Sequence, residues 1–183
     1  MKLFYIILGA TPQGRNTEQH DIFFGIAETL KDLIPAMKKF WPEAKGKIHI
    51  DGYQEVKFVD GFELKIVEKN SAISDQHLFF INLGGYEKGR FEELHHQYLM
   101  VGKSMAEIIK KAKKTEFYKT MWFKNAESHI DDKYGVDIDD IFKVNDILPQ
   151  EMKEKYSMFL EKTEVEHQDN HTFIGYLAMS KIK

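Results

Sequence analysis

Short apolar runs mark the start of each half of the chain. The first run spans Leu3 to Leu8 and the second spans Leu78 to Leu83, and each ends at a glycine. Runs of this length that are rich in Ile and Phe and bounded by glycine are typical of buried β-strands. A polar loop of about ten residues follows each run. The pattern therefore predicts a buried strand and then a loop in each half.

The segments after the two loops combine a strand with a helix. In the first half, the apolar residues after position 20 also fit one face of a long helix, so the pattern alone is ambiguous. In the second half, Ser104 with Glu107 three residues later forms a capping-box signature, and Thr29 with Asp32 aligns with it. The helices are therefore expected to begin just after these caps. The predicted strands are 20–27 and 95–102, and the predicted helices are 30–40 and 105–116.

Further strands close each half. They are predicted near residues 63–68 and 156–161, and one more strand is predicted at about 172–180. Each half therefore reads as strand, loop, strand, helix, strand, strand. Because one such unit is marginal in size and its sheet needs paired edges, we expect the two units to pack as a pseudo-dimer. The predicted fold is α+β, with a first repeat at residues 1–75 and a second repeat at residues 76–183 that carries a C-terminal strand extension.

The two halves also match residue by residue. Without a gap, residues 3–20 align with residues 78–95, and nine of these 18 positions are identical. This identity indicates an internal duplication. The positions that both copies keep are the first candidates for a functional site. Among them are Gly14 with Gly89, Arg15 with Arg90, Glu18 with Glu93 and His20 with His95.

The two retained arginines are the only arginines in the chain, although it has 26 basic residues. A guanidinium grips a carboxylate or phosphate with two parallel hydrogen bonds, which an ammonium cannot do. Since glycine allows unusual backbone angles, each glycine-containing loop could present its arginine to an external anion. Alternatively, each arginine clamps an acid of its own loop, such as Glu18 or its equivalent Glu93, and only braces that loop. The candidate ligand-binding residues are Arg15, Arg90, Gly14, Gly89, Glu18 and Glu93.

A second set of candidate residues combines imidazoles with carboxylates. The motifs are Glu-x-His and His-x-Asp, and both occur in each half. Since residues two apart in a strand point to the same face, each motif offers an imidazole beside a carboxylate. On neighbouring strands the set could bind a divalent metal ion or form an acid–base pair, whereas a single such pair more often makes a structural hydrogen bond. The candidate metal ligands are His20, His49 and Asp51 in the first half and His95, His129 and Asp131 in the second.

The amino-acid composition argues against some classes of binding partner, but it does not indicate a reaction. The net charge of -3 and the pI near 6.2 provide no basic surface field, so nucleic-acid binding is not expected. Without cysteine there can be no disulfide, thiolate metal site or cysteine nucleophile. No run approaches the roughly 18 apolar residues that span a bilayer. The apolar start of the chain recurs in mid-chain, which favours a strand over a signal peptide. We therefore expect a cytoplasmic protein without a membrane partner.

Three motifs carry a resemblance to a known family. They are the paired LG-x4-GR-x2-E-x-H segments, FWPEA at residues 40–44 and the run HIDDKYGVDIDD that begins at residue 129. With these motifs the chain resembles a small bacterial family known as domain of unknown function number fifteen forty-three. The resemblance covers nearly all of residues 1–161. It implies two tandem copies of the domain, with no established activity, substrate or cofactor.

Three functional hypotheses follow, and the sequence does not decide whether the protein is an enzyme. We expect first a non-enzymatic binding or interaction protein whose paired arginine loops recognise a small anion or an acidic partner. The alternative is a metal-assisted enzyme that uses the Glu-x-His and His-x-Asp motifs. The third is a purely structural homo-oligomer in which the repeated polar residues brace the fold. None of the motifs specifies a cofactor.

Overall fold

The computed structural model describes residues 1–69, 74–123, 141–165 and 169–183, together with the backbone of residues 129–130. The chain divides into two compact units, one formed by Met1–Ile73 with Ile147–Lys183 and the other by Ser74–Asp146. Both units combine antiparallel sheets with short helices, so the fold is α+β. Across the described residues, no helix is long and apolar enough to cross a membrane.

The elements of the described part of the chain are numbered in chain order. The strands are β1 (Lys2–Ala10), β2 (Gln19–Ala27), β3 (His49–Val56), β4 (Phe58–Val59), β5 (Phe62–Glu68), β6 (His77–Tyr86), β7 (Glu93–Gly102), β8 (His129–Ile130), β9 (Ile141–Lys143), β10 (Tyr156–Lys162) and β11 (His171–Ala178). The helices are α1 (Ile34–Phe40), α2 (Met105–Ala112), α3 (Glu116–Thr120), α4 (Val144–Ile147) and α5 (Gln150–Lys155). Single 3-10 turns lie at Leu30–Leu33, Pro42–Ala44 and Met179–Lys181.

The larger sheet of the first unit has the strand order β11-β3-β1-β2, and every neighbouring pair is antiparallel. Alternate residues of β1, namely Phe4, Ile6 and Leu8, are buried. They belong to one core cluster with Leu33 and Met37 from the helical segment that follows β2. The period of two in the strand therefore supplies one apolar face, and the helix covers it.

The helical segment of the first unit begins where it was predicted but changes type. It starts as the 3-10 turn Leu30–Leu33 and continues as α1. The Thr29 backbone N–H donates to Asp32 Oδ2 at 3.0 Å, as the capping-box signature implies. Pro35 lies in the first turn of α1. A proline is tolerated there because its missing N–H would have no partner within the helix.

The two C-terminal strands pair with the first unit, whereas the predicted boundaries placed them in the second repeat. β10 pairs with β5 along its whole length, and β11 pairs with β3. Leu160 lies opposite Leu64 in the first of these pairs, and both side chains are buried. Both strands thereby satisfy sheet edges of β3 and β5 that would otherwise carry unpaired backbone groups. The compact units thus differ from residues 1–75 and 76–183, and the pseudo-dimer of two repeats stays a prediction.

The sheet of the second unit is built around β6. β7 pairs with β6 along one edge, while β8 and β9 pair with different parts of β6. Apolar residues of β6 pack against the amphipathic helix α2. The buried residues of this core cluster are Phe79, Ile81, Leu83, Met100, Ile108, Ala112 and Ile141.

The helix after β7 is shorter than the predicted 105–116. It ends at Ala112, and a separate helix, α3, begins after Thr115. Thr115 Oγ1 accepts a hydrogen bond from the Tyr118 N–H at 3.3 Å and so acts as the N-cap of α3. The threonine hydroxyl accepts from a backbone N–H that has no partner within the first turn of a helix. It therefore favours the start of a new helix over continuation of the preceding one.

The hairpins β1–β2 and β6–β7 share one register. Gly9 pairs with His20 in the first hairpin, and Gly84 pairs with His95 in the second. Residues that align in the two halves of the sequence therefore occupy equivalent places in the two hairpins. The two hairpins thus share their register, and the internal duplication stays a prediction.

Replacing Ser104 with alanine is expected to lower the free energy of unfolding by about 1 kcal/mol. Ser104 Oγ accepts a hydrogen bond from the Glu107 N–H at 3.3 Å at the start of α2. Without it, the Glu107 N–H keeps only its 3.1 Å hydrogen bond to the Ser104 carbonyl oxygen, and the N-cap of α2 is weakened. Denaturant unfolding measures the change, with Ser180→Ala in the exposed C-terminal turn as the control. Equal unfolding midpoints for the two variants would show that the cap contributes nothing.

Candidate functional site

One glycine lies between two histidines near the end of β1. Gly9 pairs with His20 on β2 and with His49 on β3. Residues directly opposite each other on antiparallel strands have Cβ atoms about 5 Å apart. The strand register therefore brings the two histidines predicted in the first half to either side of the same glycine.

A β-bulge in β3 directs Asp51 toward the same place. The pairing of β3 with β1 shifts by one residue between Ile7 and Leu8, so Asp51 is an extra residue on its strand. A bulge bends a strand locally and re-aims a side chain. Asp51 Oδ2 lies 3.2 Å from Nε2 of His49, two residues earlier in the strand.

Four side chains meet over Gly9, and we call Glu18, His20, His49 and Asp51 the Gly9 cluster. The Nε2 atoms of His20 and His49 each lie 3.2 Å from Asp51 Oδ2. His49 Nε2 is also 3.1 Å from Glu18 Oε1, and His20 Nε2 is 3.7 Å from Glu18 Oε2. Each imidazole therefore faces both carboxylates, and each carboxylate faces both imidazoles.

The cluster has an inner and an outer half. The side chains of His49 and Asp51 are 13% and 26% exposed, whereas those of Glu18 and His20 are 44% and 49% exposed. Asp51 Oδ2 is itself buried and accepts no hydrogen bond from the described residues, although two ring nitrogens lie 3.2 Å away. A buried carboxylate oxygen without a donor is uncommon in native proteins. The missing hydrogen-bond donor makes Asp51 Oδ2 the unusual atom of the cluster.

Gly9 is needed for the cluster to form. A Cβ atom added at this position would overlap both Asp51 Oδ2 and His49 Nε2. Those two atoms thus lie directly over the glycine, which is itself buried. The sequence aligned this glycine with Gly84 and suggested only that it allows unusual backbone angles in the loop that carries Arg15. Its position at the end of a buried strand, aligned in both halves, was the available signal.

Tyr176 is a further residue of the site that sequence reasoning missed. Its ring lies 4.6 Å from the ring of His49, measured between centroids. It lies on β11, where the pairing with β3 shifts between Ile174 and Leu177. Gly175 has a φ of 135° in this irregular stretch. A glycine inside a predicted strand was the only hint of the bulge that directs the tyrosine.

The predicted metal role of His20, His49 and Asp51 stays a prediction. Among the described residues, no group of three or more His, Cys, Asp or Glu side chains is arranged as a ready metal site. The four side chains of the Gly9 cluster contact one another directly instead.

The second half places its histidines in an equivalent register. His95 on β7 and His129 on β8 both pair with Gly84. Glu93 Oε1 accepts a hydrogen bond from the Tyr86 hydroxyl at 3.0 Å. Asp131 and the side chain of His129 lie outside the described residues, so a second cluster stays a prediction.

Arg90 braces its own loop. Its Nη1 donates to Glu87 Oε2 at 3.1 Å, and its Nη2 contacts Glu92 Oε1. These hydrogen bonds to the two acids raise the pKa of Arg90 above its ordinary value. The bracing interpretation therefore applies to this arginine, and the clamping acids are Glu87 and Glu92.

Arg15 occupies the matching position of the first loop without such a clamp. Both loops close the same turn, because the Arg15 and Arg90 N–H groups donate to the carbonyl oxygens three residues earlier, at 3.2 and 3.1 Å. The Arg15 side chain is exposed, and its guanidinium has no hydrogen bond or ion pair with another described residue. The reason is visible in the sequence. Pro12 and Thr17 stand where the second loop has its two clamping acids.

The glycines of the two loops have similar backbone conformations. Gly14 has a φ of 84° and Gly89 a φ of 92°, in the left-handed region that favours glycine. A Cβ at either position would meet nothing within 4 Å. Glu18, one of the acids considered as a partner of Arg15, is directed to the imidazoles of the Gly9 cluster. In the first half, the predicted ligand-binding residues are thus divided: Gly14 and Arg15 lie in the hairpin loop, whereas Glu18 belongs to the Gly9 cluster.

Comparisons with known proteins support the fold and the family resemblance. No curated protein sequence matches the chain. The crystal structure of protein Il1583 from Idiomarina loihiensis superposes with a TM-score of 0.56 and 21% sequence identity, covering 96% of this chain and 95% of that one. This likeness shows the fold alone. A single match to the family model described as Domain of Unknown Function (DUF1543) covers residues 15–66, which include Arg15 and the whole Gly9 cluster.

Proposed function

We propose that this protein is a binding protein that recognises an oxyanion, a carboxylate or phosphate group of a small ligand or acidic partner, through Arg15. One observation carries the proposal. The guanidinium of Arg15 has no acid partner among the described residues, whereas that of Arg90 is held by two acids at the matching loop position. The proposed recognition element is therefore the first hairpin loop, and not the pair of loops that the sequence suggested.

The chemistry of the guanidinium supports this role. Its planar fork of N–H donors matches the oxygens of carboxylates and phosphates, and such charge-assisted bonds are stronger than neutral ones. A surface arginine without an internal acid keeps those donors available. The open space around Gly14 leaves room for a ligand to approach the loop backbone.

The surroundings of the loop add positive charge. Lys45 Nζ donates to the side-chain oxygen of Gln13, two residues before Arg15, at 3.2 Å. An ammonium therefore lies beside the same loop. The nearby carboxylate of Glu18 faces His49 at 3.1 Å, which reduces its competition for the guanidinium.

Paired arginine-to-lysine variants test the proposal. Arg15→Lys retains the charge but loses the fork, so we expect its dissociation constant for pyrophosphate to rise about tenfold. Its melting temperature without ligand should be unchanged, since the guanidinium has no hydrogen bond or ion pair to lose within the described part of the chain. Arg90→Lys is the matched control, because it should bind pyrophosphate like the wild type yet melt at a lower temperature. Isothermal titration and thermal denaturation provide the two measurements.

The reverse pattern would contradict the proposal. If Arg15→Lys binds pyrophosphate as the wild type does, the first loop is not the recognition element. If Arg15→Lys also lowers the melting temperature without ligand, the side chain braces the fold as Arg90 does.

A further inference from the structure

We infer that the Gly9 cluster is a binding site for a divalent transition-metal ion. The proposed ligands are the Nε2 atoms of His20 and His49 and carboxylate oxygens of Glu18 and Asp51. This inference does not depend on the oxyanion site, because none of the four side chains belongs to the proposed Arg15 contact.

The donor types suit such an ion. Neutral imidazole nitrogens and carboxylate oxygens are the ligands that bind Zn²⁺ and its neighbours in proteins when no thiolate is present. The chain has no cysteine, so an imidazole and carboxylate set is the arrangement available to it. The four donors come from the end of one loop and from two strands that flank Gly9.

The nitrogen–oxygen distances within the cluster are close to those between the ligands of a tetrahedral site. With metal–ligand bonds of about 2.0 Å, the ligand atoms of a tetrahedral centre lie roughly 3.3 Å apart. Three of the nitrogen–oxygen separations in the cluster are 3.1 to 3.2 Å. The fourth, from His20 Nε2 to the other oxygen of Glu18, is 3.7 Å.

Binding would still require the side chains to adjust, because the cluster is not a ready metal site as it stands. The side chains of Glu18 and His20 are 44% and 49% exposed, so packing does not fix their outer sides. The more buried His49 and Asp51 supply the fixed part of the site.

The buried oxygen of Asp51 provides an independent argument. Its Oδ2 lies 3.2 Å from two imidazole nitrogens, yet it accepts a hydrogen bond from neither. A buried acceptor left without a donor costs free energy, so native structures normally satisfy it, sometimes with a bound water or ion. A cation among these atoms would satisfy the oxygen and use the ring nitrogens as lone-pair donors.

The surroundings hold the inner ligands in place. Gly9 leaves the space that a side chain would fill, and the ring of Tyr176 packs against the ring of His49. This ring contact restricts the orientations that the His49 imidazole can take.

Titration of untagged protein, first dialysed against a chelator, with Zn²⁺ and Co²⁺ tests the inference. Calorimetry should give one bound equivalent fewer, or affinity at least about tenfold weaker, for His49→Gln and for the nearly isosteric Asp51→Asn. His171→Gln, on β11 of the same sheet, is the matched control and should bind like the wild type. Co²⁺ adds a visible absorption band whose intensity reports tetrahedral coordination.

Circular dichroism establishes that each variant is folded before titration. Arg15→Lys should bind the metal normally, which separates failure of this inference from failure of the proposed oxyanion site. The inference is overturned if neither ion binds the wild type, or if His49→Gln and Asp51→Asn bind both ions as the wild type does.

Discussion

Replacing Leu33 with alanine is expected to lower the free energy of unfolding by about 2–5 kcal/mol, the largest effect among the substitutions considered. Leu33 is fully buried and belongs to the core cluster under the larger sheet. Its side chain packs directly over Gly25, since a Cβ added there would lie 2.7 Å from Leu33 Cδ2. Shortening the side chain removes these contacts and leaves a cavity that a rigid sheet fills only in part.

Leu33→Met is the matched control for this prediction. It nearly conserves volume, so it should cost less than about 1.5 kcal/mol. Denaturant unfolding of both variants measures the difference. A loss below about 1 kcal/mol for the alanine variant would mean that the helical segment does not cover the sheet as described.

Replacing Gly9 with alanine is expected to destabilise the protein by about 1–3 kcal/mol and to disrupt the Gly9 cluster. At a compatible site, a glycine-to-alanine change would stabilise by a few tenths to about 1 kcal/mol through the unfolded state. Here the new methyl group would overlap Asp51 Oδ2 and His49 Nε2, so steric overlap decides the sign. Denaturant unfolding measures the stability, and imidazole NMR shifts report the cluster.

A double-mutant cycle isolates the cause. In a His49→Ala, Asp51→Ala background the overlapping atoms are absent, so the same glycine substitution should cost much less than it does in the wild type. An equal cost in both backgrounds would place the strain elsewhere and would contradict the position of the cluster over the glycine.

Local sequence signals predicted much of the fold. The apolar runs ending in glycine correspond to β1 and β6, and the aligned caps at Thr29 and Ser104 mark the starts of the following helical segments. The partners of the C-terminal strands could not be predicted, because strand periodicity gives a face but no neighbour. The apolar pattern continues past Ala112 and therefore predicted one long helix. The structure instead has two helices, because Thr115 caps the start of the second one.

The candidate site was predicted in part, for a related reason. Period-two spacing and the repeat identified all four residues of the Gly9 cluster, because both depend only on sequence. The sequence did not predict the bulge that brings Asp51 to the two histidines. Nor did it predict that Tyr176, on a strand distant in sequence, contacts His49. Arg90 is clamped and Arg15 is not because the two clamping acids flank only Arg90, so aligning the two arginines alone could not reveal the difference. Matching residues 12 and 17 to Glu87 and Glu92 would have suggested it.

The central claim is that Arg15 is available to an external oxyanion while Arg90 is held by its own loop. The chain has two arginines, so a proton–nitrogen correlation spectrum should show two guanidinium Nε–Hε signals, which Arg15→Lys assigns. On titration with pyrophosphate, we expect the Arg15 signal to shift progressively to saturation while the Arg90 signal stays in place. A stationary Arg15 signal, or a shift confined to Arg90, would contradict the account.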